Sequence, residues 1–78
     1  MEDKFNEMFT PILQLGWFSR RSELEDALTN AGFEVLESNE EYVVIGYEDE
    51  DEDVLVQINL GGTARTIVID SYEEINRL

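Results

Sequence analysis

The first third of the chain has the apolar spacing of amphipathic helices. Apolar residues recur at positions 5, 8, 9, 12 and 13, and this pattern predicts a first helix from Glu2 to about Leu15. Pro11 lies inside that pattern and is expected to kink or divide the helix, because it has no backbone N–H to donate. Trp17 and Phe18 follow the helix, and we expect both aromatic side chains to close the core. The alternative is an exposed Trp17, which would be the best candidate in the chain for a binding hot spot.

A second apolar stripe predicts a helix that ends at Gly32, a residue that readily adopts the left-handed conformation of a C-terminal cap. Ser22 with Glu25 matches an N-terminal capping box, and Ser19 is an alternative cap one turn earlier. The stripe consists of Leu24, Ala27, Leu28 and Ala31.

After Gly32 the apolar period shortens to two or becomes continuous, which predicts four β-strands. Gly61-Gly62 is a two-residue hairpin signal, so Leu60 is expected opposite Thr63. This register places Val54, Val56, Ile58, Ile67 and Ile69 on one face. The predicted strands are Phe33 to Glu37, Tyr42 to Tyr47, Val54 to Leu60 and Thr63 to Asp70.

The last nine residues carry two overlapping capping boxes, which predict a short terminal helix. Its inner side would carry Tyr72, Ile75 and Leu78. The predicted fold is therefore α+β, in the order ααββββα: a four-stranded antiparallel meander with two N-terminal helices and a short C-terminal helix packed on one face. Residues 1–78 are expected to form a single acidic domain. The two boxes are Asp70 with Glu73 and Ser71 with Glu74.

Charge is the most extreme property of the composition, with 19 acidic residues against 5 basic ones and a net charge of −14. Such a surface disfavours direct binding to nucleic acid or anionic lipid and favours basic protein surfaces. The chain has no apolar run of membrane-spanning length, and its N-terminus is acidic where a signal peptide is basic. We therefore expect a cytoplasmic protein, and host-cell cytoplasm if it is phage-encoded, with no membrane partner.

Six consecutive carboxylates, Glu48 to Asp53, suggest a calcium loop because three aspartates occupy its positions 1, 3 and 5. The match fails at Val54, where the EF-hand has glycine, and at Leu60, where it has a bidentate glutamate. The chain also lacks His and Cys, the usual bases, nucleophiles and soft metal ligands. We predict no enzymatic activity, no catalytic residues, no metal site and no cofactor.

The acidic run and the acids of the neighbouring hairpin are the candidate partner-binding residues. With the stretches YEDEDEDV and NEEY at hairpin ends of a small cysteine-free chain, the protein resembles phage-encoded inhibitors such as anti-CRISPR proteins and other DNA mimics. That resemblance covers the composition of the whole chain and implies an acidic surface that occupies the nucleic-acid channel of a host defence complex. The candidate residues are Glu34, Glu37, Glu40, Glu41, Tyr47, Glu48, Asp49, Glu50, Asp51, Glu52 and Asp53.

The function predicted from these residues is a non-enzymatic inhibitor that binds a basic nucleic-acid-binding protein or effector complex by charge complementarity. Two alternatives remain open at this point. One is an immunity protein or antitoxin that neutralises a basic nuclease. The other is an acidic structural or regulatory domain, either adapted to high salt or homodimeric through the mixed second face of its sheet. The scarce Arg20 and Arg21 are expected to pair with nearby acids such as Glu23 or Glu25.

Overall fold

The computed structural model describes residues 3–63 and 65–77 and contains two helices and one antiparallel sheet. The strands are ordered β1-β2-β3-β4, so the predicted α+β class with a four-stranded antiparallel meander is confirmed. Among the described residues, neither helix is long and apolar enough to cross a membrane. The elements are α1 (Asp3–Leu15), α2 (Arg21–Asn30), β1 (Glu34–Ser38), β2 (Tyr42–Asp49), β3 (Glu52–Thr63) and β4 (Thr66–Arg77).

The core lies between the two helices and one face of the sheet. Phe5 and Phe9 of α1 stack with ring centroids 4.9 Å apart, and both contact the ring of Phe33. Each buried side chain of this size contributes about 1.5–3 kcal/mol, which offsets the repulsion among the surface charges. The remaining members of the buried cluster are Ile12, Phe18, Leu24, Leu28, Val43, Ile45, Tyr47, Val54, Val56 and Ile58.

Both predicted helices are present, with local differences at their ends. The first continues through Pro11 to Leu15 and is not divided, while its predicted start at Glu2 lies outside the described residues. The second begins one residue before the predicted cap, with Arg20 at the N-cap position. The Ser22–Glu25 capping box is therefore wrong. Instead, the backbone N–H and the hydroxyl of Ser19 both donate to the Glu23 carboxylate, at 3.1 and 2.9 Å.

Trp17 is not a core residue, contrary to prediction: 59% of its surface is exposed, whereas Phe18 is buried. Phe18 pairs with Ile67 of β4 through two backbone hydrogen bonds of 2.8 and 2.7 Å. Consecutive side chains of an extended segment point in opposite directions. Because Phe18 points into the core, Trp17 points away from it.

Two predictions for the end of the chain, the C-terminal helix and the turn at Gly61-Gly62, are wrong. Both fail because residues 66–77 form one long strand that pairs with β3. The chain reverses between Thr63 and Thr66 instead of at Gly61-Gly62, so that Leu60 lies opposite Ile69. A turn at Gly61-Gly62 would pair Val54 with Ile69 and leave the last residues without a strand partner. The later turn lets β3 pair with β4 as far as Arg77, opposite Val54.

Tertiary pairing therefore overrides the local helix signal at residues 70–77. A helix this short is marginal alone, whereas each added residue of β4 gains ladder hydrogen bonds with β3. Tyr72 also packs its ring 4.9 Å from that of Phe9 and 5.7 Å from that of Phe5. Two register shifts leave Asp70 and Ile75 as extra residues in β4. The predicted helical position Leu78 lies outside the described residues.

Candidate acidic interface

The acidic run forms the tip of the β2–β3 hairpin, which we call the acidic tip (Glu48–Asp53). Glu48 and Asp49 end β2, Glu52 and Asp53 begin β3, and the chain reverses at Glu50-Asp51. Both turn residues have positive φ, 50° and 68°. Positive φ at both central residues is the property of a type I′ turn, which usually contains asparagine and glycine. The tip is therefore a tight turn that holds two carboxylate residues in an unfavourable backbone conformation.

Carboxylates face carboxylates across this hairpin. Glu48 lies opposite Asp53, and Asp49 lies opposite Glu52. Like charges directly opposite on antiparallel strands destabilise the pair. The chain's single lysine, Lys4, donates from Nζ to the backbone carbonyl oxygen of Glu48 and thereby attaches the base of the tip to α1.

The two helices cover one face of the sheet, and the opposite face, which we call the outer face, carries the alternate residues of each strand. In the β2–β3 pair these alternate residues are Val44 opposite Gln57 and Gly46 opposite Leu55. Gln57 donates to Asn59, which donates to Ser71 of β4, so the centre of the face is tied together by short polar bonds of 2.9 and 3.0 Å. The face thus combines polar and apolar positions, as predicted for the second face of the sheet.

One end of the outer face contains an open groove of about 460 Å³. The side chains of Leu36 and Leu55 line it, and Gly46 of β2 lies buried beneath them. A Cβ on Gly46 would lie 3.3 Å from Leu36 Cδ1 and 3.4 Å from Leu55 Cδ2, so the two leucines lean over the glycine from either side. Three carboxylate residues also line the groove: Glu34, Glu48 and Asp53.

The predicted acidic residues are divided between the two ends of the sheet. Glu34 pairs with Gly46 near the acidic tip, whereas Ser38 pairs with Val43 at the other end. Glu40 and Glu41 belong to the turn that follows Ser38, and Glu37 accepts a 3.1 Å hydrogen bond from the hydroxyl of Tyr42 nearby. The candidate residues therefore form two separate acidic regions. Glu34 lies with the acidic tip at one end of the sheet, and Glu37, Glu40 and Glu41 lie at the other end.

Tyr47, predicted as a partner-binding residue, is buried in the core. It is only 7% exposed and its ring lies 5.8 Å from those of both Phe5 and Phe33. Strand alternation explains this difference, because Tyr47 falls on the helix-covered side of β2 while Glu48 falls on the outer side. Tyr47 is a core residue.

The described arginine side chains lie away from the outer face, whereas Lys4 reaches the backbone carbonyl oxygen of Glu48, a residue of the groove. Arg21 pairs with Glu25 at 3.6 Å, as expected from the sequence, and Arg65 lies in the β3–β4 turn. Hydrogen bonds from Ser19, with the nearby Arg20 charge as a smaller contribution, hold the pKa of Glu23 below its ordinary value. These contacts surround the start of α2, and the carboxylates of the groove belong to a separate region.

The groove residues Leu36, Gly46 and Leu55 were not among the sequence candidates. Their one sequence signal is Gly46, a glycine in the middle of the apolar run of β2, where glycine often marks the close approach of another group.

Within residues 3–63 and 65–77, the acidic and other ligand-type side chains form no group of three suited to holding a metal ion. No protein-family model, curated protein or solved structure matched this chain in our comparisons.

Proposed function

We propose that this protein is a non-enzymatic inhibitor that binds a basic, nucleic-acid-binding protein or complex and occupies the site where phosphates would bind. The observation that carries the proposal is the acidic tip, in which Glu48 opposes Asp53 and Asp49 opposes Glu52 on a turn with two positive φ angles. Each of these features lowers the stability of the fold. Recognition of a positively charged partner gives a physical reason for such an arrangement.

The dimensions of the molecule support the same proposal. The molecule is 38 Å long, so charges at its two ends are screened from each other at physiological salt, whereas the charges within the acidic tip lie within one Debye length, about 8 Å. Side chains on one face of a strand are about 6.6 Å apart, twice the rise per residue, which is comparable to the spacing of phosphates along a nucleic-acid strand. A rigid sheet end can therefore present carboxylates to a groove lined with lysine and arginine.

The experiment that tests the proposal is affinity capture from a nuclease-treated host lysate at low salt. Captured proteins would be eluted with duplex DNA at constant ionic strength, because a protein held through its phosphate-binding site must be displaced by DNA. The tip variant Asp49→Asn/Asp51→Asn/Asp53→Asn is expected to capture much less of the same protein. The matched control, Glu7→Gln/Asp26→Asn/Asp70→Asn, removes three exposed carboxylates elsewhere and is expected to behave like the wild type.

Two results would overturn the proposal. One is a partner that survives both the tip substitutions and about 0.5 M salt, where the Debye length falls well below 8 Å. The other is capture of only generic basic proteins, such as ribosomal ones, with equal loss for the tip and control variants. The second result would mean that the acidic tip is only a hairpin end whose charges are solvated.

A further inference from the structure

The groove beside the acidic tip differs from the rest of the acidic surface, because it joins carboxylates to exposed apolar area. Leu36 is 48% exposed on the outer face, and Leu55 is partly buried beside it. Gly46 lies buried beneath them, where even a Cβ would be only 3.3 and 3.4 Å from the leucine methyl groups, so the exposed apolar surface belongs to the leucines. An apolar strip without a covering helix leaves surface that a partner can bury.

The carboxylates of Glu34, Glu48 and Asp53 line this strip and come from three neighbouring strands. Among the basic residues with described side chains, Lys4 of α1 bonds to the backbone carbonyl oxygen of Glu48, and the arginines lie before or at the start of α2 or in the β3–β4 turn. The groove therefore combines an apolar floor with a negative edge. Lys and Arg side chains have the complementary structure, an apolar stem that packs on a surface and a charged head.

We infer that the groove is a docking site for an arginine side chain of the partner, a conclusion that rests on the proposed function and names the contact within it. The arginine stem would pack on the exposed surface of Leu36 and Leu55, above Gly46, and its guanidinium would reach the carboxylates at the edge. Arginine fits better than lysine, because its planar guanidinium can pair with two carboxylate oxygens at once and is more weakly hydrated. Sites of about 300–1,000 Å³ hold drug-sized ligands, so a groove of 460 Å³ has room for this side chain and part of its neighbours.

The test uses a hepta-arginine peptide as the probe and follows the amide signals of the isotopically labelled full chain by NMR at about 0.02 M salt, where charge interactions are least screened. Saturable shifts are expected at Leu36, Gly46 and Leu55. A peptide of the same length with citrulline in place of arginine has nearly the same shape without the charge. It is expected to cause no such shifts.

Two groove variants distinguish binding in the groove from electrostatic attraction to the whole acidic surface. Glu34→Gln/Glu48→Gln/Asp53→Asn is expected to weaken the peptide about tenfold, the effect of losing about 1.4 kcal/mol of charge-assisted contact. Gly46→Val, which displaces the Leu36 and Leu55 side chains without changing charge, is expected to weaken it several-fold. The control Glu7→Gln/Asp26→Asn/Asp70→Asn removes equal charge elsewhere and should change the affinity about twofold or less. The amide spectrum of each variant shows whether it is folded.

The failures of the two proposals are distinguishable. Equal weakening by the groove triple and the control triple, with shifts spread over all acidic regions, would overturn the groove site while leaving binding by overall charge intact. The same conclusion would follow if folded Gly46→Val bound the peptide like the wild type. Absence of binding to the wild type at low salt would overturn the charge-complementary function itself, and the groove site with it.

Discussion

Glu48 and Asp53 lie directly opposite each other on β2 and β3, so that two carboxylates occupy a position where a pair of opposite charges would stabilise the hairpin. The next pair towards the turn, Asp49 and Glu52, repeats the arrangement. The acidic tip is thus built against the usual rules for cross-strand pairs, while the sheet behind it follows them. This contrast leads to the first prediction.

Changing Asp53→Lys should stabilise the fold, because it replaces a like-charge pair with an opposite-charge pair. We expect the free energy of unfolding to rise by about 0.5–1 kcal/mol, measured by urea denaturation. Glu41→Lys is the control, since it changes the net charge equally in an exposed turn. An equal gain for both variants would mean that reduced net charge, and not the pair, accounts for the effect.

The turn itself gives a second prediction. Glu50 and Asp51 both have positive φ, for which asparagine and glycine are the favoured residues. The double change Glu50→Asn/Asp51→Gly should therefore raise the free energy of unfolding by about 1 kcal/mol, since an L-residue in the left-handed region costs about that much. Glu7→Gln/Asp70→Asn removes the same charge without touching a turn. If the turn variant gained no more than this control, the backbone conformation would not be the cause.

The third prediction concerns the two glycines of β3. Gly62 has a φ of 106° and a Cβ there would overlap the Thr66 carbonyl oxygen, whereas a Cβ on Gly61 would meet its nearest atom at 3.6 Å. Gly62→Ala should lower the free energy of unfolding by about 2 kcal/mol or more, and Gly61→Ala should change it by less than about 0.5 kcal/mol. Similar losses for both would favour a turn centred on Gly61-Gly62, where both residues need positive φ.

The same two glycines show where sequence reasoning stops. The helices and strands were predictable from local periods, because the residues at 5, 9 and 12 or at 54, 56 and 58 that repeat along the chain are the ones that enter the core. The position of the β3–β4 turn could not be predicted from local periods, because it depends on how far β3 can pair with the end of the chain. A helix signal at Asp70–Glu74 is worth about 1 kcal/mol per cap, less than the ladder and the Tyr72 contacts that replace it.

One part of the candidate site could be predicted from the sequence and the other could not. The acidic tip could be predicted, since its six carboxylates are consecutive and lie between two apolar segments with strand patterns, which places them at a hairpin end. The groove could not, because Leu36, Gly46 and Leu55 come from three strands and meet only through the register of the sheet. Trp17 and Tyr47 were assigned to the wrong sides because one residue of alternation decides whether an aromatic ring is buried.

Salt dependence provides the fourth prediction. With a net charge of −14, the fold should be present at about 0.02 M salt and its melting temperature should rise as salt screens the repulsion. The variant Asp49→Asn/Asp51→Asn/Asp53→Asn should melt higher at low salt and gain less from added salt, as followed by circular dichroism. Unfolding of the wild type on removal of salt would instead support the alternative of adaptation to a saline environment.

The contact between Ser19 and Glu23 gives the last prediction, because two hydrogen bonds from Ser19 hold the pKa of Glu23 below its ordinary value. Ser19→Ala removes the hydroxyl donor, which is the larger cause, so the pKa of Glu23 should rise towards the ordinary value in an NMR titration. A carboxylate with a lowered pKa in the folded state stabilises the fold above its unfolded pKa, and this contribution is lost as the pH falls through the folded pKa. The stability difference between wild type and Ser19→Ala should therefore shrink in acid. Ser22→Ala is the control and should leave the pKa of Glu23 unchanged, since Ser22 contributes no hydrogen bond to that carboxylate. A rise equal to that of Ser19→Ala would contradict the assignment of the lowered pKa to Ser19.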